Sequence, residues 1–299
     1  MNARSSTTEK VAPTVSIQTP SPASDNFRSV LRDRRTIIGS VITGVVLLIA
    51  IFGPLFAPHA VDAYVGSPFA GPSASTPLGV DVLGQDVLSR VLNGGRTIVW
   101  MSLVASALGV IGGVLLGMIA GFVRGFVGEI IMRGCEIWMA LPMIIFILII
   151  IALFGRAPWL LVLLVALGHV PQVTRVIYGA VLDVSQREYV ESAVASGSRV
   201  FETARTHILP SLVPVVMVEF GLRVVWSVGM LAGLALLGLG VAPPAADWGL
   251  MINENRGGLS AQPLAILIPL ALITLFAVGV NLITEGVGRS LGLAEGTTK

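Results

Sequence analysis

The chain has 299 residues, 54% of them hydrophobic and only 12% charged, with a formal net charge of +2. A mean hydropathy of +0.87 excludes an ordinary soluble globular protein, in which about a quarter of the residues are charged, and marks a membrane protein. No nucleic-acid partner is expected.

Residues 1–26 are rich in Ser, Thr and Pro, a composition too poor in large apolar groups to fold, and read as a disordered tail. The apolar run that follows exceeds a signal-peptide core of about 7–15 residues, so the first span reads as a retained anchor. A bilayer core of about 30 Å takes roughly 20 helical residues to cross. Apolar runs at 36–57, 97–122, 134–154, 157–174, 212–240 and 264–285 therefore predict six transmembrane helices in an all-α polytopic membrane protein. Barrel strands, which need only about 9–11 alternating residues, do not fit such runs.

The second span carries Gly109, Gly113, Gly117 and Gly121 at four-residue spacing, which returns small residues to nearly one face of a helix. Such a stripe admits a second helix at close range, although glycine is also generally common in membrane helices. In the third span, Glu136 is expected near the end that faces the same side as the chain termini. In the fourth, His169 precedes Pro171 and reads as a packed, hydrogen-bonded histidine in preference to a ligand.

Between the fourth and fifth spans lies SQREYVESAVASGSRVFETARTHILPSLVP, residues 185–214. Tyr189, Val190, Ala193 and Val194 recur at helical spacing among charged residues, predicting a short amphipathic helix. Gly197 supplies a residue suited to a helix C-terminus, Ser198 can cap a second short helix, and Pro210 fits the first turn of the fifth span. A lipid-surface helix would carry a Lys/Arg-rich face and bulky apolar anchors. Here Glu188, Glu191 and Glu202 balance Arg187, Arg199 and Arg205, which favours docking to a protein groove. Further on, Glu219 and Arg223 stand four apart in the fifth span. They could line a substrate path or structure an interface between subunits, since charged groups inside a membrane face the bundle or water.

Orientation follows from the basic residues. With both termini inside, fourteen of the nineteen Lys and Arg fall in interior segments, with Arg133 assigned to the second loop and Arg175 to the third. The bias predicts cytoplasmic N and C termini, and it places segment 185–210 on the cytoplasmic face.

Several chemistries are excluded. The only lysines, Lys10 and Lys299, lie in the tails, so there is no P-loop to hydrolyse ATP. His59, His169 and His207 sit in no zinc-binding pattern, the lone Cys135 cannot form an internal disulfide, and no nucleophile elbow is present. No catalytic residue, cofactor or metal site is therefore expected in this chain.

Glu191, Ser192 and Ala193, then Gly197, then Leu209 and Pro210 resemble the EAA motif of ATP-binding-cassette (ABC) importer permeases, EAA-x3-G-x9-I-x-L-P, with Ser192 and His207 as departures. Residues 76–90, TPLGVDVLGQDVLSR, are similar to the PLGTDxLGRDVLSR segment of the C-type permeases of dipeptide, oligopeptide and nickel importers. Residues 237–249, LGLGVAPPAADWG, and the terminal NLITEGVGRSL resemble that branch's LGLGxxPPxxxWG and NLLGDGLRDAL patterns. Val170, Thr174 and Tyr178 depart from it, standing where the branch often has Trp, Ala and Arg.

The resemblance implies an ABC type I importer permease fold and a multi-pass cell-membrane subunit without catalysis of its own. It implies a tail at 1–26, an anchor helix and the start of an external loop at 27–75, and a permease core at 76–299 with five transmembrane helices. It also implies a homologous B-type permease, two ABC ATPase subunits that bind ATP and Mg, and an extracytoplasmic substrate-binding protein. Glu191, Ser192, Ala193, Gly197, Ser198, Leu209 and Pro210 would couple to an ATPase subunit. Peptide is the expected cargo, nickel the alternative within the family. An ion-coupled carrier would differ by showing internal repeats and broken midplane helices, and a scaffold by showing no transport.

Overall fold

The computed structural model describes residues 30, 32–123, 125–186, 208–243 and 245–290. Within them run eight α-helices: α1 (Arg34–Phe52), α2 (Val87–Phe122), α3 (Phe126–Ala140), α4 (Met143–Phe154), α5 (Pro158–Ser185), α6 (Leu209–Leu236), α7 (Trp248–Asn255) and α8 (Leu264–Ser290). The described residues contain no strand, only isolated bridges pairing Tyr64 with Gln85 and Val80 with Asp86. Among the described residues five helices are long and apolar enough to cross a membrane, or six if α3 and α4, bent by 79° at their junction, count together as one broken span. The architecture is an all-α polytopic bundle.

Three predicted spans need correction. The third starts at Phe126 and is broken at Leu141–Pro142. Proline lacks a donor and holds the residue before it extended, and Leu141 accordingly sits at φ −77°, ψ 128°. Trp138 and Phe146 meet edge to face across the break, 5.4 Å apart. Arg133, expected in a loop, therefore lies in α3. The second span begins ten residues earlier than its hydropathy suggests, because Asp86 caps α2 through the amides of Leu88 and Ser89. The fourth runs on to Ser185 through Pro171, so Arg175 is a helical residue too.

Close contacts fix the directions of the helices. A side chain at Gly39 would strike the backbone of Gly279 and Ile283, and one at Gly286 would strike Thr36, so α1 and α8 run antiparallel. Gly221 likewise fits against Thr284 and Gly288 lies near Val218, setting α6 antiparallel to α8. The start of α1, the end of α8, the end of α5 and the start of α6 consequently share one face of the bundle, the tail face. There Val181, Val184, Ile208 and Leu212 join a small apolar core. A larger core, containing Ile98, Met101, Leu161, Val228 and Trp248, fills the rest of the bundle toward the opposite face. The loop before α2 and the turn around α7 cover that face as a collar.

Candidate functional site

The candidate site is built where α5 passes between α2 and α6. On one side, each glycine of the α2 stripe accepts an α5 residue. A Cβ on Gly109 would lie 2.7 Å from His169 Cβ, on Gly113 2.4 Å from Val173 Cβ, on Gly117 2.8 Å from Ile177 Cβ, and on Gly121 2.5 Å from a Val181 methyl. The partners advance by four as the glycines do, so α2 and α5 run parallel with their backbones in close approach.

On the other side α5 meets α6 through polar groups. Glu219, Arg223 and Ser227 follow one another at four-residue intervals along α6 and are all buried. Arg223 Nη2 stands 3.1 Å from Glu219 Oε2, and Arg223 Nη1 donates to Gln172 Oε1 on α5. One turn away, His169 Nε2 lies 2.8 Å from Ser227 Oγ, which lies 2.9 Å from Ser106 Oγ on α2. Ser106 in turn donates to the Ser102 carbonyl at 2.7 Å. A polar seam thus joins three helices at membrane depth. Arg223 Nε and Glu219 Oε2 are buried without a hydrogen bond among the described residues, so this part of the seam is less than fully satisfied.

The sequence singles out His169, Glu219 and Arg223, and the seam holds all three. It misses Gln172, Ser106 and Ser227. Their signal is register: Ser227 continues the Glu219, Arg223 spacing, and Gln172 lies one turn from His169. Which of these residues meet across helices depends on the tertiary fold.

Of the expected coupling residues, Glu191, Ser192, Ala193, Gly197 and Ser198 lie outside the described residues. Leu209 and Pro210 form the first turn of α6, exposed on the tail face beside buried Ile208 and Leu212.

The collar contains a second polar constellation, which the sequence carries only as resembling segments. Arg90 is 2% exposed and binds Asp81 and, at 2.8 Å, Glu254 Oε2. Asp81 Oδ1 also accepts from the Leu83 and Gln85 amides at 2.9 and 2.8 Å. Asn255 Oδ1 accepts from Val82 N at 2.9 Å, and Trp248 Nε1 donates to the Val91 carbonyl at 2.8 Å. Gly79, at φ +79°, brings the backbone so near Ala70 that a Cβ would lie 2.8 Å from its oxygen. Asp247 caps α7 through the Leu250 amide at 3.0 Å. Burial raises its pKa to about 6, against the opposing effect of the Leu250 and Gly249 amides. These bonds tie the loop before α2 to α2 and α7 at the collar and leave the seam as the place where buried charge lies between the long helices among the described residues.

Comparison with known proteins gives two family matches. The model described as binding-protein-dependent transport system inner membrane component matches residues 113–290, and that described as N-terminal TM domain of oligopeptide transport permease C matches residues 21–72. The glutathione transport system permease protein GsiD of Pectobacterium atrosepticum is 31% identical over 272 residues, covering 90% of each chain. GsiD of Salmonella typhimurium is 36% identical over 265 residues, covering 87% of this chain and 88% of its own. GsiD of Escherichia coli O157:H7 is 31% identical over 276 residues, covering 92% and 91%.

Proposed function

The chain belongs to the family of binding-protein-dependent transport system inner membrane components, a multi-pass permease of an ABC importer, and from that premise we propose that its cargo is a di- or oligopeptide. The similarity to glutathione permeases along about nine tenths of the chain carries this reading, because glutathione is itself a tripeptide with free carboxylates. The seam supports it too: a zwitterionic cargo suits a path with charges of both signs, and intramembrane charges face a bundle interior or water. Glu219, Arg223 and His169, buried between helices of this chain, would act on that path, or on the wall between permeases, from behind its exposed surface.

In the proposed assembly this chain pairs with a homologous B-type permease, two ABC ATPase subunits and an extracytoplasmic binding protein, and both its termini are cytoplasmic. ATP and Mg bind the ATPases. Segment 185–210, with Glu191, Ser192, Ala193, Gly197 and Ser198, docks on an ATPase, and Leu209 and Pro210 pass its displacement into α6. ATP can drive the inward-open to outward-open switch only by binding one state more tightly than the other.

Co-purification tests the assembly, and ATP-dependent uptake of a labelled tripeptide into vesicles tests the cargo. Peptide uptake by this chain alone, insensitive to ATP, would refute the importer reading. Nickel uptake without peptide uptake would refute the cargo.

A further inference from the structure

The half of α5 nearer the tail face is exposed and partly polar on one side. Its exposed residues there are Gln172, Arg175, Val176, Gly179 and Asp183, whose spacing of three and four puts them along one strip of the helix. Nearer the collar the exposed large residues are Trp159 and Leu163, as suits lipid. A strip with Asp, Arg and Gln rising from the helix end to Gln172 is costly against hydrocarbon, where polar groups face water-filled cavities.

Two of these residues are prepared for an anion. Arg175 is exposed and makes no hydrogen bond or ion pair among the described residues. Glu136 on the neighbouring helix α3 flanks the same Cys135 thiol as Arg175, but it is engaged by Arg133 at 2.9 Å. Gln172 lies three residues before Arg175, on the same face of the helix. Its Oε1 accepts from Arg223, and an amide oriented by its oxygen leaves both Nε2 hydrogens to donate elsewhere. Arg223, itself buried, therefore acts as a positioning residue that holds the Gln172 amide by its oxygen.

We propose that Arg175 and Gln172 form a carboxylate-binding station on the α5 wall of the translocation path, and that it receives the free carboxylate of a peptide. The guanidinium supplies the planar fork that carboxylates match, and the amide adds a donor one turn deeper. This inference rests on the peptide-importer reading above. It adds to that reading a discrimination between a free carboxyl terminus and a blocked one, made in the membrane after the binding protein has delivered its cargo.

The test uses the complete importer in proteoliposomes, with saturating binding protein, and compares maximal uptake rates of trialanine and trialanine amide. Losing a charged hydrogen bond to the cargo predicts that Arg175→Gln slows the acid at least about tenfold while the amide rate barely moves. Arg175→Lys should keep part of the acid rate, and Gln172→Leu should give a smaller loss with the same selectivity. Equal slowing of both peptides, or an unchanged ratio, would overturn the station and leave the importer reading standing. So would loss of the partner permease from purified Arg175→Gln, which would assign the arginine to a subunit contact. A dependence on anionic lipid that vanishes in Arg175→Gln at an unchanged ratio would assign it to a lipid phosphate, with the same consequence. Wild-type vesicles that take up neither peptide would overturn the cargo reading and the station together.

Discussion

Helix α5 is held by α2 and by α6 on opposite principles. Against α2 the contact is dry: four glycines let backbones approach until Val173, Ile177 and Val181 fill the space that side chains would take. Against α6 it is polar, with Gln172 and His169 bonded to Arg223 and Ser227. A glycine-packed interface is satisfied in one geometry only, since dispersion contacts fall away within about an ångström of separation. A hydrogen-bonded seam can exchange its partners for water or for each other. In the proposed inward-to-outward switch, α2 and α5 would move as one body, with α6 the neighbour they slide against.

The largest effect should come from breaking the charge balance of the seam. Arg223→Leu leaves Glu219 buried without a counter-charge, which typically costs about 3–5 kcal/mol. The double variant Glu219→Leu, Arg223→Leu should recover most of that loss, as buried pairs are often replaceable by apolar residues. Denaturation midpoints of the purified assembly read both. A double variant as unstable as the single would mean that the pair does not act as a unit.

The dry side should respond to volume. At Gly113 a methyl would sit 2.4 Å from Val173 Cβ, whereas Gly44 on α1 has nothing within 4 Å. Gly113→Ala is therefore expected to destabilise by about 1–3 kcal/mol through overpacking. Gly44→Ala should be neutral or gain a few tenths from helix propensity. Similar thermal shifts for the two would show that the stripe is not a tight interface.

How much of this was legible follows from what each signal measures. Hydropathy located the spans because crossing a bilayer is a matter of length and polarity. It read straight through Pro142, where the run MALPMIIF stays apolar while the chain turns by 79°. Ser89, Arg90, Asn93 and Arg96 kept the first turns of α2 out of the predicted span, and Arg175 made α5 look as though it ended early. Buried charges stood out by their rarity, so His169, Glu219 and Arg223 were found. Gln172, Ser106 and Ser227 are unremarkable residues until three helices bring them together, and the Arg90 constellation joins residues more than 150 positions apart, as the Trp248–Val91 bond does.

Ser227→Ala tests the uncharged half of the seam at a smaller scale. It removes the bonds to His169 and to Ser106 at once, but hydrogen bonds between membrane helices average only about 0.6 kcal/mol. A midpoint shift well below that of Gly113→Ala is expected. A larger shift would reverse the ranking of the two interfaces and make the polar side the rigid one.

The collar sharpens the contrast with a carboxylate that has no counter-charge. Glu219 has Arg223 beside it, whereas Asp247 is buried with backbone amides as partners and makes no ion pair among the described residues. Burial raises its pKa from 3.8 to about 6. An acid that holds its proton more tightly folded than unfolded favours the folded state as pH falls. The penalty for the ionised form is therefore complete above about pH 6 and fades between about 6 and 4. Asn at this position keeps the helix cap and cannot ionise. Asp247→Asn should accordingly match or exceed the wild type in thermal midpoint at pH 7.5, and the wild type should regain ground on it at pH 5. Parallel curves would mean that Asp247 is solvated in the assembly and is not a buried charge without a partner.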